Sequence, residues 1–261
     1  MATARNQAQI IDKIEQELQD TANAFWSVAE LQQYLKDALV ETAFYVPYLA
    51  NETLTVTSGS KNLDISGIED LLGIIRLEYR VDKTDREFRN WEWIDDKTIR
   101  MTIDFSPDGD TARLYCEKAH HLDPDWTAAT AYALGDYVAP TTKNDRRYKC
   151  TVAGTSAAVT QPTWPTTAGA TVTDNTVTWT CKAELPNTLE TPTNHIEDLF
   201  IDLVVAKALI NKGSKHVNVV NVGSKQALME YLQLGNARLA TVLLELRKRR
   251  KPKITRLYPI G

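Results

Sequence analysis

The chain has 261 residues, of which 43% are apolar and 25% charged, and its formal net charge is -4. These values are typical of a globular protein and exclude collagen-like, disulfide-dense and wholly disordered chains. The length allows one large domain or two smaller ones, and no apolar run approaches the roughly 18 residues that would span a membrane.

The N-terminus and the cysteines indicate a protein made and kept under reducing conditions. The first residues are polar and lack the apolar stretch of a secretory signal. Cys116, Cys150 and Cys181 are too few for a disulfide framework, and no two of them have CxxC spacing. We therefore expect a soluble protein with free thiols.

Two amphipathic helices are predicted near the N-terminus. Apolar residues at helical spacing indicate the first helix over about residues 6–21. The second helix begins at a capping box formed by Ser27 and Glu30, and Pro47 ends it.

The middle region begins with a short helix and continues with strands. Ser66 and Glu69 repeat the capping-box pattern and predict a short third helix through Gly73. Thr53–Thr57 is a candidate strand before it. After it the apolar period changes to two, which is the period of half-buried strands. The strands predicted there are Ile75–Val81, Glu87–Ile94, Thr98–Phe105 and Thr111–Lys118.

Residues 126–182 differ in composition from the sequence on either side. They contain fifteen Thr, ten Ala and a single Leu, and no Ile, Met or Glu. Short alternating runs between turn signals are typical of a small all-β module. We interpret the segment as a domain inserted into a body made of residues 1–123 and 184–261. Its predicted strands are Asp136–Pro140, Arg147–Val152 and Thr176–Lys182.

Two further helices are predicted after the insert. Thr191-Pro192 opens one that ends near Gly213, and the other covers about Ser224–Arg250. The last helix would be about 40 Å long and needs a packing partner, within the subunit or outside it. The predicted fold class is therefore α+β: an antiparallel helix bundle with a small antiparallel β-sheet, plus an inserted small all-β domain.

Charge is distributed unevenly along the chain. Residues 247–256 carry seven basic side chains and no acidic one, whereas residues 1–52 carry eight acidic and three basic side chains. A terminal basic block either contacts an anionic partner, such as nucleic acid or an acidic protein surface, or is a solvated helix end that favours the helix dipole. Charge alone leaves both interpretations open.

The sequence contains no recognisable catalytic or metal-binding motif. Phosphate loops, HExxH, GxSxG and zinc-type Cys/His pairs are all missing. Adjacent His120 and His121 point to opposite faces of an extended chain and favour a polar linker over a chelating site. Asp104, Asp108 and Asp110 bracket a Pro-Asp-Gly turn and favour a hairpin over a calcium loop. The sequence predicts neither an enzyme nor a resident metal or cofactor.

Trp91 and Trp93 share one face of a predicted strand. Two aromatic side chains on one face form a binding platform, or else a core or subunit contact. The second interpretation is favoured, because aromatic residues on half-buried strands more often pack than bind.

Several passages of the body resemble the head–tail adaptor (connector) proteins of tailed bacteriophages. Leu63–Leu72 followed by Ile74–Val81 is similar to their passage of a helix and then a Val/Leu-Glu-Tyr strand. A helix through Ile196–Leu209, a long helix after it and a basic tail that ends in Arg256-Leu257-Tyr258-Pro259 follow the same order. The resemblance covers most of residues 1–123 and 184–261 and rests on order and pattern more than on an invariant motif.

This resemblance implies a structural virion protein without catalytic residues or cofactors. Adaptors of this family form a twelve-fold ring beneath the portal, extend the channel through which genomic DNA passes and connect the capsid to the tail. The implied partners are the portal protein, the next tail or neck protein and further copies of the chain, with no membrane. The implied location is the head–tail interface of a virion made in the host cytoplasm. The implied portal contacts are Arg247, Lys248, Arg249, Arg250, Lys251, Lys253, Arg256, Leu257, Tyr258, Pro259 and Ile260.

The insert resembles the small chitin-binding modules attached to chitinases. Lys143–Arg147 departs from the sugar-binding pattern, because it replaces a short Gly turn. We interpret the insert as a decoration or protein-contact module at the outer rim of the ring. Its candidate surface for a glycan or a protein is Trp126, Tyr132 and Trp164. The similar residues are Trp126, Ala131, Tyr132, Gly135, Asp136, Val138, Tyr148, Pro162 and Trp179.

Two other functions remain open at this point. A host-surface or tail-fibre glycan-binding protein would act through the insert, and residues 126–182 alone would then bind polysaccharide. A DNA-binding protein would use the basic C-terminus, and its affinity for duplex DNA would fall steeply with salt. The acidic balance of the rest of the chain and the lack of a helix-turn-helix pattern disfavour DNA binding.

Overall fold

The structure is a computed structural model that describes residues 5–81, 83–191, 194–216 and 225–250. Within these ranges the chain forms four α-helices and fourteen β-strands. The chain divides into two compact units. The first unit consists of Met1–Leu39 and His121–Glu245, and the second of Val40–His120 and Leu246–Gly261.

The second unit is built around a six-stranded antiparallel sheet. Its strands are β1 (Tyr48–Thr55), β2 (Asn62–Asp64), β3 (Leu71–Tyr79), β4 (Phe88–Asp95), β5 (Thr98–Thr102) and β6 (Thr111–Lys118). They lie in the order β1-β6-β3-β4-β5-β2. Two register shifts between β3 and β6 bend the sheet, and β2 at one edge comes close to β1 at the other. The sheet therefore curls back on itself.

Alternate residues of these strands form the core of the second unit. Leu114 and Cys116 of β6 are fully buried, and so is Ile99 of β5, next to Met101. Successive side chains point to opposite faces of a strand, so the period of two in the sequence correctly predicted which residues lie inside. Each buried aliphatic side chain of this kind contributes about 1.5–3 kcal/mol to folding.

The predicted fold class is wrong. In the part of the chain that the structure describes, a large curled sheet with its own core stands where a helix bundle with a small sheet was expected. One cause is the third predicted helix, which does not form. Asp64 accepts the backbone N–H of Ser66 at 2.8 Å in a turn, and Asp70 has a φ of +58°. A residue with this φ cannot continue a right-handed helix, and strand β3 begins directly after it at Leu71.

The first two helices begin where the sequence predicted. α1 (Gln7–Glu17) has Asn6 as its N-cap, and α2 (Val28–Tyr45) follows Ser27. The Ser27 hydroxyl accepts the backbone N–H of Glu30 at 3.3 Å, and the Glu30 carboxylate accepts the backbone N–H of Ser27 at 3.2 Å. The predicted capping box is confirmed.

α3 (Glu197–His216) is the most buried helix of the first unit. Its side chains Phe200, Leu203 and Val204 are fully buried. The prediction placed its start at Thr191 and its end near Gly213, and both bounds are wrong. The chain first forms a two-stranded pairing of β13 (Glu190–Thr191) and β14 (Asn194–His195), so the helix begins later.

α4 (Lys225–Arg249) packs closely against α3 at Gly235. A Cβ atom at Gly235 would lie 2.8 Å from Cγ1 of Ile210 and 3.1 Å from the carbonyl oxygen of Ala206. Farther along α4, Val242 and Leu246 are also buried. The predicted long amphipathic helix is confirmed over this range.

The segment predicted as an insert forms small sheets within the first unit. The four-stranded sheet has the order β11-β12-β9-β8, and β7 pairs with β10. Its apolar core includes Trp126, Tyr148, Cys150 and Trp179. The exact limits of the inserted domain, residues 126–182, stay a prediction. The strands are β7 (Ala131–Tyr132), β8 (Tyr137–Val138), β9 (Arg147–Val152), β10 (Gly154–Thr155), β11 (Thr171–Asp174) and β12 (Val177–Lys182).

Candidate interaction surfaces

The C-terminal turn of α4 presents a cluster of exposed positive charge. Arg247, Lys248 and Arg249 form the last basic turn, and Arg250 follows it. The Arg247 guanidinium lies 5.6 Å above the ring of Tyr45, in the range of a cation–π contact. Basic side chains at this end also favour the negative pole of the helix dipole. The remaining predicted portal contacts lie outside the described residues: Lys251, Lys253, Arg256, Leu257, Tyr258, Pro259 and Ile260.

Trp126 is a core residue of the insert. It is 7% exposed, and its indole N–H donates to the Asp174 carboxylate at 2.7 Å. The indole N–H of Trp179 donates to the same oxygen at 3.2 Å. One buried carboxylate therefore orients two tryptophans, and the Trp126 ring face is not available for stacking on a sugar.

The other two candidate aromatics of the insert are half-buried. Tyr132 packs edge-on against Trp179 with ring centroids 4.8 Å apart. Trp164 lies 4.3 Å from the ring of Tyr148, and its indole N–H donates to the Gln161 side chain at 3.0 Å. Both side chains have one ring face engaged in the core, and the structure does not bring them together with Trp126 into one exposed aromatic face.

A buried ion pair joins the base of the insert to both of its connections, and the sequence did not reveal it. Arg147 is 3% exposed and donates to both carboxylate oxygens of Asp123 at 2.8 Å. It also donates to Glu184 at 3.1 Å, and its guanidinium stacks 3.7 Å above the ring of Tyr137. Asp123 precedes the insert and Glu184 follows it. The available signal was a basic residue at the first position of a predicted strand, with acids at both ends of the insert.

The histidines expected in a polar linker are buried, so that expectation is wrong. Nε2 of His120 lies 2.7 Å from the carbonyl oxygen of Val46. Nε2 of His121 lies 2.6 Å from the carbonyl oxygen of Leu185. Each imidazole therefore pairs with a backbone carbonyl in its own unit, and this pairing gives the adjacent histidines a structural role.

Asp108 lies in the connection between β5 and β6 and is engaged by neighbouring side chains. The Tyr79 hydroxyl donates to it at 2.7 Å, and Arg80 forms an ion pair with it at 2.9 Å. The hydrogen bond from Tyr79 holds the pKa of Asp108 below its ordinary value. These contacts with Tyr79 and Arg80 hold the turn.

Large apolar side chains are exposed on elements of both units. On α2, Val40 is 72% and Phe44 is 70% exposed, and they lie one turn apart on the same helix face. Trp93 at the end of β4 is 50% exposed and contacts Trp91 edge-to-face with ring centroids 5.6 Å apart. Clustered exposed apolar residues mark interaction surfaces more often than isolated ones do.

The described part of the chain offers neither a metal-binding cluster nor a membrane-spanning helix. It contains no group of three or more His, Cys, Asp or Glu side chains that could hold a metal ion. None of its helices is both long and apolar enough to cross a membrane. No family model and no curated protein matches the chain.

Proposed function

We propose that this chain is a structural virion protein: a subunit of a head–tail adaptor ring that docks beneath a phage portal, extends the DNA channel and connects the capsid to the tail. The observation that carries the proposal is the exposure of large apolar side chains on α2, α4 and the six-stranded sheet. A protein that acts alone rarely leaves several such faces in water, whereas a ring subunit covers them with neighbours.

The basic end of α4 supports a docking role for the same subunit. Four consecutive basic residues, Arg247–Arg250, are exposed at a helix terminus, and the buried Leu246 anchors that terminus in the second unit. A rigid cluster of positive charge speeds and orients association with an acidic partner surface. In the proposed assembly that partner is the portal protein.

The order of elements also fits the resemblance in part. Leu77, Glu78 and Tyr79 lie in strand β3, and two helices, α3 and then α4, follow the insert. The helix expected before that strand does not form, so this part of the resemblance has no counterpart in the fold. The twelve-fold symmetry of the ring comes from the resemblance alone.

The proposal is tested by co-sedimentation of the full chain with purified portal rings of the same phage. We expect the chain to sediment with the rings. A variant with Lys248, Arg249 and Arg250 replaced by Gln should bind at least tenfold more weakly, because charge pairs at an interface contribute strongly when desolvated.

A matched variant controls for the loss of net charge. Lys83, Arg86 and Arg100 are exposed basic residues of the second unit, and replacing them by Gln removes the same charge elsewhere. This variant should sediment with portal rings like the unmodified chain. If the full chain does not bind the rings and is retained on duplex DNA or polysaccharide instead, the adaptor proposal is wrong.

A further inference from the structure

Five threonines of the insert lie on one face of its four-stranded sheet. Cys150, Val172 and Trp179 belong to the core of the insert, so the residues that alternate with them point to the opposite face. We call that face the threonine face. Its threonines, all exposed or half-buried, are Thr151 of β9, Thr171 and Thr173 of β11, and Thr178 and Thr180 of β12, and its lysines are Lys149 of β9 and Lys182 of β12.

The strand register arranges these side chains in rows. The opposed pairs are Thr171 with Thr180, Thr180 with Lys149, and Thr173 with Thr178. Directly opposed residues of antiparallel strands share a face. Neighbouring strands lie about 4.8 Å apart, and alternate residues of one strand lie about 6–7 Å apart. The hydroxyl groups of Thr151 and Thr180 are 3.0 Å apart, so the face presents a regular array of hydroxyl groups.

The charged groups of the threonine face are positive. Lys149 and Lys182 occupy diagonal positions on adjacent strands, roughly 7–8 Å apart. Asp174 is the one acidic residue in β8, β9, β11 and β12, and it points into the core, where it accepts the two tryptophan N–H groups. Arg147 at the base of the sheet is already paired with the acids of both connections. The two lysines therefore set the charge of this face.

Hydroxyl groups with a sparse positive charge suit an acidic polysaccharide. Threonine hydroxyls both donate and accept hydrogen bonds, as sugar hydroxyls do, and lysine ammonium groups form charge-assisted bonds with carboxylates. Two lysines are few for duplex DNA, which carries one negative charge per about 1.7 Å of its axis. Protein interfaces are depleted in lysine. A polysaccharide that carries a carboxylate on only some of its units matches both features of the face.

We propose that the threonine face of the insert binds an acidic polysaccharide. The threonine hydroxyls bond to the hydroxyls of the sugars, and Lys149 and Lys182 pair with the carboxylates. This inference goes beyond the adaptor function and does not depend on it. It also differs from what the resemblance to chitin-binding modules implies, because chitin is neutral. The aromatic residues expected to contact a glycan, Trp126, Tyr132 and Trp164, pack in the core on the other side of the sheet.

The test is affinity electrophoresis of the full chain in gels that contain hyaluronate, which carries a carboxylate on every second sugar unit. Parallel gels contain neutral dextran or duplex DNA. We expect hyaluronate to slow the chain and dextran and DNA to leave its mobility unchanged. The retardation should decrease as salt is added, because salt screens exposed charges.

A first pair of variants tests the lysines. Lys149→Gln combined with Lys182→Gln should weaken hyaluronate binding about tenfold or more, since charged contacts to the ligand are lost. Lys36→Gln combined with Lys143→Gln removes the same charge at exposed positions outside the threonine face and should leave binding unchanged. Equal urea midpoints of the two double variants show that each is folded.

A second pair tests the hydroxyl groups without changing the charge. Thr171→Val combined with Thr173→Val keeps the shape of the side chains and a residue type that favours strands. It should weaken binding about fivefold or more, because hydrogen bonds to the sugar are lost. Thr160→Val combined with Thr163→Val changes two exposed threonines in a loop of the insert and should have no effect.

The outcomes distinguish this inference from the proposed function. A full chain that hyaluronate does not slow overturns the inference even if the chain binds portal rings. Retardation that both variants of the threonine face retain, or equal retardation by dextran or duplex DNA, also overturns it. Retardation that is lost in those two variants alone supports the inference, whether or not the chain binds portal rings.

Discussion

At the scale of single residues, Arg147 holds the insert to its two connections. It joins Asp123 and Glu184, the acids on either side of the insert, while both Arg147 and Asp123 are almost completely buried. Removing one partner of a buried pair costs more than the pair contributes, because a buried charge loses its counter-charge.

Arg147→Met should therefore destabilise the protein by about 3–5 kcal/mol. The free energy of unfolding is measured by urea denaturation of the full chain. Arg146→Met is the matched control, since Arg146 is partly exposed and donates mainly to backbone carbonyls, and it should cost about 1 kcal/mol per lost bond. Arg147→Met combined with Asp123→Leu should recover part of the loss. A loss for Arg147→Met no larger than that of the control would contradict the account.

Asp20 controls the turn between α1 and α2 through its charge. Its carboxylate accepts the backbone N–H groups of Ala24, Phe25 and Trp26 at 2.8 to 2.9 Å. Burial opposes the charged form, but these donors outweigh burial and hold the pKa of Asp20 below its ordinary value of 3.8. The charged form is thus favoured by folding.

The resulting pH dependence has a definite sign. Because the folded pKa is lowered, Asp20 stabilises the protein above pH 3.8 and loses that contribution as the pH falls through the folded value. The urea midpoints of the unmodified chain and Asp20→Asn should differ at pH 7 and converge below pH 3.8. Asp12→Asn removes a charge from an exposed position of α1 and controls for net charge. A difference that persists unchanged at low pH would contradict this role.

At the scale of elements, α3 and α4 approach closely only because residue 235 is glycine. Gly235→Ala raises helix propensity by about 1 kcal/mol, yet the added Cβ would overlap Ile210 and crowd the Ala206 carbonyl. Overpacking costs about 1–3 kcal/mol, so we expect net destabilisation or, at the lower limit, no gain. Ala240→Gly on the exposed face of α4 measures the propensity effect alone. A clear stabilisation by Gly235→Ala in urea denaturation would disprove the close contact.

Elements with a strong period were predictable from the sequence, and those set by long-range pairing were not. β6 was predicted with its observed bounds, Thr111–Lys118, because its alternation is regular. The residues that begin β3 were assigned to a helix, since the capping-box pattern at Ser66 does not reveal the left-handed Asp70. β2 has only three residues and is stabilised by pairing with β5, which no local pattern reports. The predicted fold class was wrong because the pairing of distant strands into one sheet leaves no local pattern in the sequence.

The candidate surfaces divide in the same way. The basic end of α4 was predictable, because a run of consecutive basic residues can be recognised from the sequence without knowledge of the tertiary structure. The pocket beside Trp93 is lined by residues of β3 and β4 and by residues of the turn before β3, so the sequence alone showed only the Trp91/Trp93 pair. Burial of Trp126 likewise depends on the distant Asp174.

At the scale of the whole molecule, the proposed function requires each chain to be one member of a closed ring. In the proposed ring, neighbouring subunits cover the exposed apolar side chains of α2, α4 and the six-stranded sheet, and the basic end of α4 contacts the portal protein.

The most direct measurement is electron microscopy of the full chain mixed with portal rings of the same phage. The account predicts a closed ring of additional density on the portal axis, with the symmetry of the portal and an open central channel. It also predicts that this density is lost when Lys248, Arg249 and Arg250 are replaced by Gln. Portal rings that remain bare at saturating concentrations of the correctly folded chain would contradict it.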